Sequence, residues 1–226
     1  MVRTAALLRA AEVRFPDFDP PNLIVVGIDY PPTSGSAILS LRARDYSPTK
    51  SPDYKKWPGT PSGGAKKFLR FIRDELMPNI NSSYRTDPTD STIVGHSFGG
   101  LFALYVLFHE PDAFRRYVAS SPPLSYDNKV LFEHEREYAS KHTELPAKLF
   151  LSVGSLVESE GSNAVPNLKE LVEILAQRKY KGLELESHIF EDEGHMCVIG
   201  TAICRGISSV FSSARALLYQ RFSWRK

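Results

Sequence analysis

Ser91-Thr-Ile-Val-Gly-His-Ser-Phe-Gly-Gly-Leu-Phe-Ala-Leu-Tyr-Val-Leu-Phe108 is the stretch on which the fold turns: a short apolar run, a serine bracketed by glycines, then a long apolar pattern. Gly95, Ser97 and Gly99 stand in the spacing G-x-S-x-G, the signature of a nucleophile elbow. The spacing has a steric origin. A strand that turns at once into a helix strains the residue at the corner, and small residues two before and two after let the backbones pass. The motif demands a strand before it and a helix after it, and both are written here. Thr92-Ile-Val is β-branched, while Leu101, Phe102, Leu104, Tyr105 and Phe108 continue at helical spacing. A serine so placed lies at the amino end of a helix, where free N–H groups and the helix dipole favour negative charge, and the Phe98 amide would face a developing oxyanion. A glycine-rich turn into a buried helix, with an incidental serine, would carry the same three residues.

Outward from the elbow the pattern alternates. Upstream, Ala5 to Val13 reads as a helix, and Leu23 to Ile28 as an apolar strand of the kind buried on both faces of a parallel sheet. Asp29 to Gly64 reads as a long irregular region rich in proline, serine and glycine. Within it, Arg42, Arg44 and Asp45 either bind an anionic or polar substrate or hold the loop through their own Arg–Asp pairs. Gly64 to Leu76 has the spacing of an amphipathic helix closed by Pro78. Downstream come strands around Tyr117 to Ala119, over Lys148 to Gly154 and over Leu183 to Phe190. Helices are expected at about Lys129 to Lys141, from Pro166 onward, and after His195 to about Tyr219. Alternation of this kind predicts a single α/β domain over residues 1–226, with right-handed crossovers and a mainly parallel sheet flanked by helices. Ligands of such folds bind beyond the carboxyl ends of the strands. Ser97, Glu158 and His195 each fall just after a predicted strand, in the order serine, acid, histidine.

Composition excludes several classes. Hydrophobic residues make up 42% and charged residues 24% of the 226, and the formal net charge is +2, so no basic surface for nucleic acid is expected. The segment Arg215 to Lys226, with its interleaved aromatics, reads as the end of a solvated helix. The amino-terminal apolar run, Ala5 to Leu8, is shorter than the roughly 7 to 15 residues of a secretory core. No run approaches the roughly 20 apolar residues of a membrane span. Cys197 and Cys204 lie seven apart on one predicted helix, too far apart to bridge, which points to a reducing, cytoplasmic setting. No metal ligand set and no cofactor motif is present in the pattern.

Taken together, Leu23 to Tyr30, Arg42-Ala-Arg-Asp45, Phe68 to Pro78, Gly95-His-Ser-Phe-Gly-Gly100, Ser121-Pro-Pro-Leu-Ser-Tyr-Asp-Asn128, Val153-Gly-Ser-Leu156 and Glu193-Gly-His-Met196 resemble, in order and spacing, the putative-esterase family of the α/β-hydrolase superfamily. The resemblance is to its siderophore esterase branch, which acts on enterobactin-type trilactones, and it runs from about residue 23 to the carboxyl terminus. It implies Ser97 as nucleophile, His195 as general base, the Phe98 amide as an oxyanion donor, and Arg42, His96 and Tyr126 as substrate-contacting residues. The acid that orients the histidine would be Glu158, with Glu160 or Asp127 as alternatives, or the pair would work as a serine–histidine dyad. The partner implied is a small-molecule ester or lactone, with no nucleic acid and no membrane; a homo-oligomer is left open.

Family members carry about three strands before the one at Leu23, so the sheet is expected to lack its usual amino-terminal strands. The Leu23 strand and the elbow strand then either pair directly or leave a space for another chain or segment. That departure keeps two other readings open beside a serine esterase: a non-catalytic binding protein on the same fold, and an acyltransferase or thioesterase using the same serine.

Overall fold

The computed structural model describes residues 5–8, 22–30, 34–51, 61–160 and 163–212, with 5–8 and 158–160 described by their backbone path. Its centre is a sheet of four strands, all parallel, in the order β3 (Thr92–His96), β4 (Arg116–Ser120), β5 (Lys148–Gly154) and β6 (Glu184–Phe190). Each strand is followed by a helix: α4 (Phe98–His109), α5 (Tyr126–Ala139), α6 (Ala164–Arg178) and α7 (Val198–Phe211). Sequential strands are spatial neighbours throughout, as right-handed crossovers allow. Alternate side chains of β4 and β5 separate the two faces. Tyr117, Ala119, Leu149, Leu151 and Val153 join the main core with α4, α5 and α6, whereas Val118 and Phe150 pack against Val210 of α7. Phe98 and every residue from Gly100 to Phe108 of α4 are buried, so this helix is apolar all round because it is covered all round.

Upstream of β3 the structure departs from the sequence reading in four places. Ala5–Leu8 is a strand, β1, and not the start of a helix; residues 9–13 lie outside the described residues. β1 pairs antiparallel with β2 (Leu23–Val26), so a ladder supplied by a distant segment overrides local helical preference. β2 itself is outside the parallel sheet and half-exposed, with Val25 41% exposed, and is not the doubly buried strand that its composition suggests.

The supposed loop contains a twelve-residue helix, α1 (Gly35–Tyr46). The Ser34 hydroxyl caps it by accepting from the Ala37 N–H, and Ala43 and Tyr46 bury its inner face. The helix expected to stop before Pro78 continues: α2 (Ala65–Phe71) leads through a π-helical turn (Ile72–Leu76) into α3 (Met77–Ser83). The Met77 N–H reaches back five residues to the Ile72 carbonyl. This wider turn relieves the clash that a proline ring makes with the carbonyl four residues earlier.

β2 and β3 do not pair. Between them lies a cavity of about 620 Å³, lined by Leu23, Ile24, Val26 and Ile28 on one side and by Thr92 to His96 on the other, with Phe102 of α4 and Phe211 of α7 also in its wall. Direct pairing, one of the two arrangements expected for these strands, is thus not observed among the described residues. No described helix is long and apolar enough to cross a membrane, and the last helix ends at Phe211, with residues 213–226 outside the described residues.

Candidate active site

Ser97 sits at the corner between β3 and α4 with φ 57° and ψ −123°. Non-glycine residues rarely adopt this conformation, and it persists only where its surroundings hold it. Here the Ser97 N–H donates to the Ser120 carbonyl at 2.9 Å, which ties the corner to β4. A Cβ on Gly95 would lie 2.1 Å from the Gly99 carbonyl oxygen, so the strand side of the elbow requires glycine. The helix side differs from the motif's simple reading. A Cβ on Gly99 would meet nothing within 4 Å, and it is Gly100 that runs close to β4, where an added Cβ would lie 3.0 Å from the Ser120 carbonyl oxygen.

His195 arrives from the loop after β6 and places Nε2 3.0 Å from the Ser97 hydroxyl. Close backbone packing holds that loop. Gly154, at the end of β5, lies so near the loop that a Cβ there would come within 2.2 Å of the Glu193 carbonyl. The Leu156 N–H donates to that carbonyl at 3.0 Å, and the Asp192 N–H donates to the Ser155 hydroxyl. The 3₁₀ turn Ser155–Glu160 is thereby fastened against the histidine loop. Glu158 and Glu160 stand on this turn, and their side chains lie outside the described residues. Asp127, the alternative acid, is engaged elsewhere: its carboxylate accepts from the Thr49 hydroxyl at 2.5 Å.

Of the remaining residues singled out from sequence, Phe98 opens α4 directly after Ser97, so its amide lies in the first turn. Arg42 lines the cavity, its guanidinium 5.0 Å from the centre of the Tyr46 ring. Arg44 and Asp45 instead pair with each other through two bonds of 2.7 Å, and the Tyr30 hydroxyl also donates to Asp45. The internal Arg–Asp pair expected of this cluster is thus present, while Arg42 lines the cavity.

Tyr126 does not line the cavity. It is 4% exposed, its ring meets Phe98 edge-on at 5.8 Å, and its hydroxyl donates to the Thr49 carbonyl. The substrate contact expected of Tyr126 is replaced by a support beneath the elbow, because Tyr126 lies within the core cluster.

His96 edges the cavity, but its nitrogens point elsewhere. Nδ1 is 3.1 Å from the Ser120 hydroxyl, Nε2 is buried, and the ring centre is 4.7 Å from that of His195. Burial, with smaller contributions from His195 and Arg42, pushes the His96 imidazole down to about 4, so it is neutral through the ordinary range. Ser120 escaped the sequence reading. Only the register of β3 with β4, which sets His96 beside Ser120, brings it to the site. No described group of three or more His, Cys, Asp or Glu could hold a metal ion.

A parallel sheet flanked by helices, with a strained serine at a strand–helix corner and a histidine from the loop after the last strand, defines an α/β protein of serine-hydrolase architecture. The chain belongs to the putative esterase family, whose pattern matches residues 39–195. It is similar to a ferri-bacillibactin esterase of Bacillus subtilis, 35% identical over 193 residues that span 81% of this chain and 65% of the relative. It is likewise similar to a siderophore enterobactin esterase of Emericella nidulans, 32% identical, covering 81% of this chain and 70% of that one. Among solved structures, the BES protein from Bacillus cereus superposes with a TM-score of 0.70 at 32% identity, over 83% of this chain and 69% of that one. The chain thus spans just under two thirds of the length of the Bacillus subtilis relative.

Proposed function

We propose that this chain hydrolyses carboxylic esters or lactones of the siderophore type through an acyl-enzyme on Ser97. The observation that carries the reading is the 3.0 Å approach of His195 Nε2 to the hydroxyl of a serine held in a strained elbow. In the first step the Ser97 oxygen attacks the ester carbonyl and its proton passes to His195 Nε2, while the carbonyl oxygen takes negative charge facing the Phe98 amide. Collapse of this intermediate breaks the bond to the leaving alcohol, which takes the proton from His195. Water then repeats the sequence on the acyl-enzyme, releasing the carboxylic acid and restoring Ser97. A carboxylate from the Ser155–Glu160 turn would hold the histidine tautomer from behind, and Glu158 is the residue we assign to that role.

The substrate class follows from the relatives named above and from Arg42. Among the described residues this guanidinium has no carboxylate partner, and it lines the same cavity as His96, where it would recognise an anionic or phenolic acyl group. The test is labelling by a fluorophosphonate probe together with hydrolysis of p-nitrophenyl acetate. Wild type is expected to be labelled and Ser97→Ala not, with kcat falling on the order of 10⁴-fold or more. Equal labelling of the two proteins, or turnover that survives Ser97→Ala, overturns the proposal.

A further inference from the structure

The buried polar row beneath the elbow is not used by the mechanism above. His96 of β3, Ser120 of β4 and Ser152 of β5 are in register, so their side chains leave the sheet on one face. That is the face of α7, because Val118 and Phe150, two residues earlier on β4 and β5, pack there. Ser120 is fully buried, and among the described residues the partner of its hydroxyl is His96 Nδ1 at 3.1 Å. The pair can share its protons in two ways. If Nδ1 carried the imidazole proton, the Ser120 hydroxyl hydrogen and the lone pair of Nε2 would both be left unmet in the interior. If Ser120 donates to Nδ1, the imidazole proton sits on Nε2 and a single group is left to satisfy. Each unmet buried group is unfavourable, so the second arrangement prevails.

Beside this ring lies His195, the two imidazoles 4.7 Å apart at 45°. We propose that Ser120 and His96 form a positioning pair: the Ser120 hydroxyl fixes the His96 tautomer, and the His96 ring, packed against that of His195, holds His195 over Ser97. The pair also explains why β4 carries a serine here. An apolar side chain in its place would leave Nδ1 unpaired. The groups facing His96 are Ser120, His195 and Arg42. With a cation on one side and the base on the other, a second proton on His96 would oppose the proton that His195 must accept, so the neutral ring is the working form.

This inference rests on the esterase reading for its kinetic arm only, and its spectroscopic arm needs no turnover. In the 226-residue protein labelled with ¹⁵N at histidine, His96 is expected to show an unprotonated Nδ1 and a protonated Nε2 near neutral pH. That signature is expected to survive Ser120→Thr, which keeps the hydroxyl, and to be lost or mixed in Ser120→Ala. With p-nitrophenyl acetate, Ser120→Ala and His96→Phe are expected to lower kcat on the order of tenfold or more with KM little changed, and Ser120→Thr to restore most of it. A protonated Nδ1 in wild type, or a Ser120→Ala protein with both the tautomer and kcat unaltered, overturns the positioning pair. A wild-type protein without turnover overturns the esterase reading instead and leaves the tautomer measurement to decide this one.

Discussion

At the scale of single residues, the elbow shows how unequal the members of a short motif can be. Gly95 is required because a β-carbon there would meet backbone, which cannot rotate away. Gly99 has open space and lines the cavity. Gly95→Ala is therefore expected to destabilise the protein by about 1–3 kcal/mol or more and to abolish hydrolysis. Gly99→Ala should leave stability unchanged or raise it by about 0.4–1 kcal/mol through the lower entropy of its unfolded chain. Urea denaturation of the two variants checks this, and equal losses would contradict the geometry. The serine and histidine were legible in sequence because each is announced by its neighbours, a glycine frame for Ser97 and a strand followed by glycine for His195. The division of labour among Arg42, Arg44 and Asp45 was not. It depends on α1, which sets Arg42 one turn before Tyr46 and leaves Arg44 to its neighbour Asp45.

Between elements, the contact of α4 with α5 contains a pair of histidines away from the site. His109 and His134 meet edge to face at 4.6 Å, the His109 ring stacks on Tyr105, and His134 Nδ1 is buried without a hydrogen-bond partner among the described residues. Burial lowers both imidazoles from the ordinary 6.5, and it outweighs Glu110 and Glu137 beside His109 and Glu133 and Glu137 beside His134, which favour charge; Lys66 near His109 disfavours it. The sign follows directly. Below about 6.5 the unfolded chain binds protons that the folded protein refuses, so stability is full above that pH and declines as pH falls towards the folded-state values. His96 adds to the same trend down to about 4. Urea midpoints at about pH 7.5 and about pH 5 should differ, and the double variant His109→Gln, His134→Gln should narrow the difference. A midpoint independent of pH would refute this account. A second tie is the carboxylate of Glu135 on α5, which is buried and takes two bonds from Arg178 and one from Tyr180, joining α5 to the end of α6.

Across the whole molecule, the feature that matters most is the cavity between β2 and β3. The Ser97 N–H donates to the Ser120 carbonyl, and parallel pairing alternates, so Ile93 and Gly95 also turn their backbone groups towards β4. Thr92, Val94 and His96 turn theirs into the cavity, and Val94 is 40% exposed. Hydrogen exchange should therefore be at least about tenfold faster at the amides of Thr92, Val94 and His96 than at those of Ile93 and Gly95. Equal protection along β3 would show that its outer edge is covered. Most of the parallel sheet and its helices was legible from sequence, because apolar runs and amphipathic spacing recur from β3 to α7. The front of the chain was not. β1 is a strand only because β2 offers it an edge, and the helix runs through Pro78 only because a π turn precedes the proline.

The sequence alone determined the elbow, the order of strands and helices from β3 onward, and which serine and histidine stand at the ends of strands. Propensity, turn sterics and apolar period all act within a few residues, so these features are written locally. The tertiary structure decided what lies beside what: Ser120 against His96 across a strand register, Arg42 in the cavity wall, Tyr126 beneath the elbow, and β2 held apart from β3. Those outcomes depend on groups tens of residues apart competing for hydrogen bonds and buried volume, and that competition is settled only when the chain has folded.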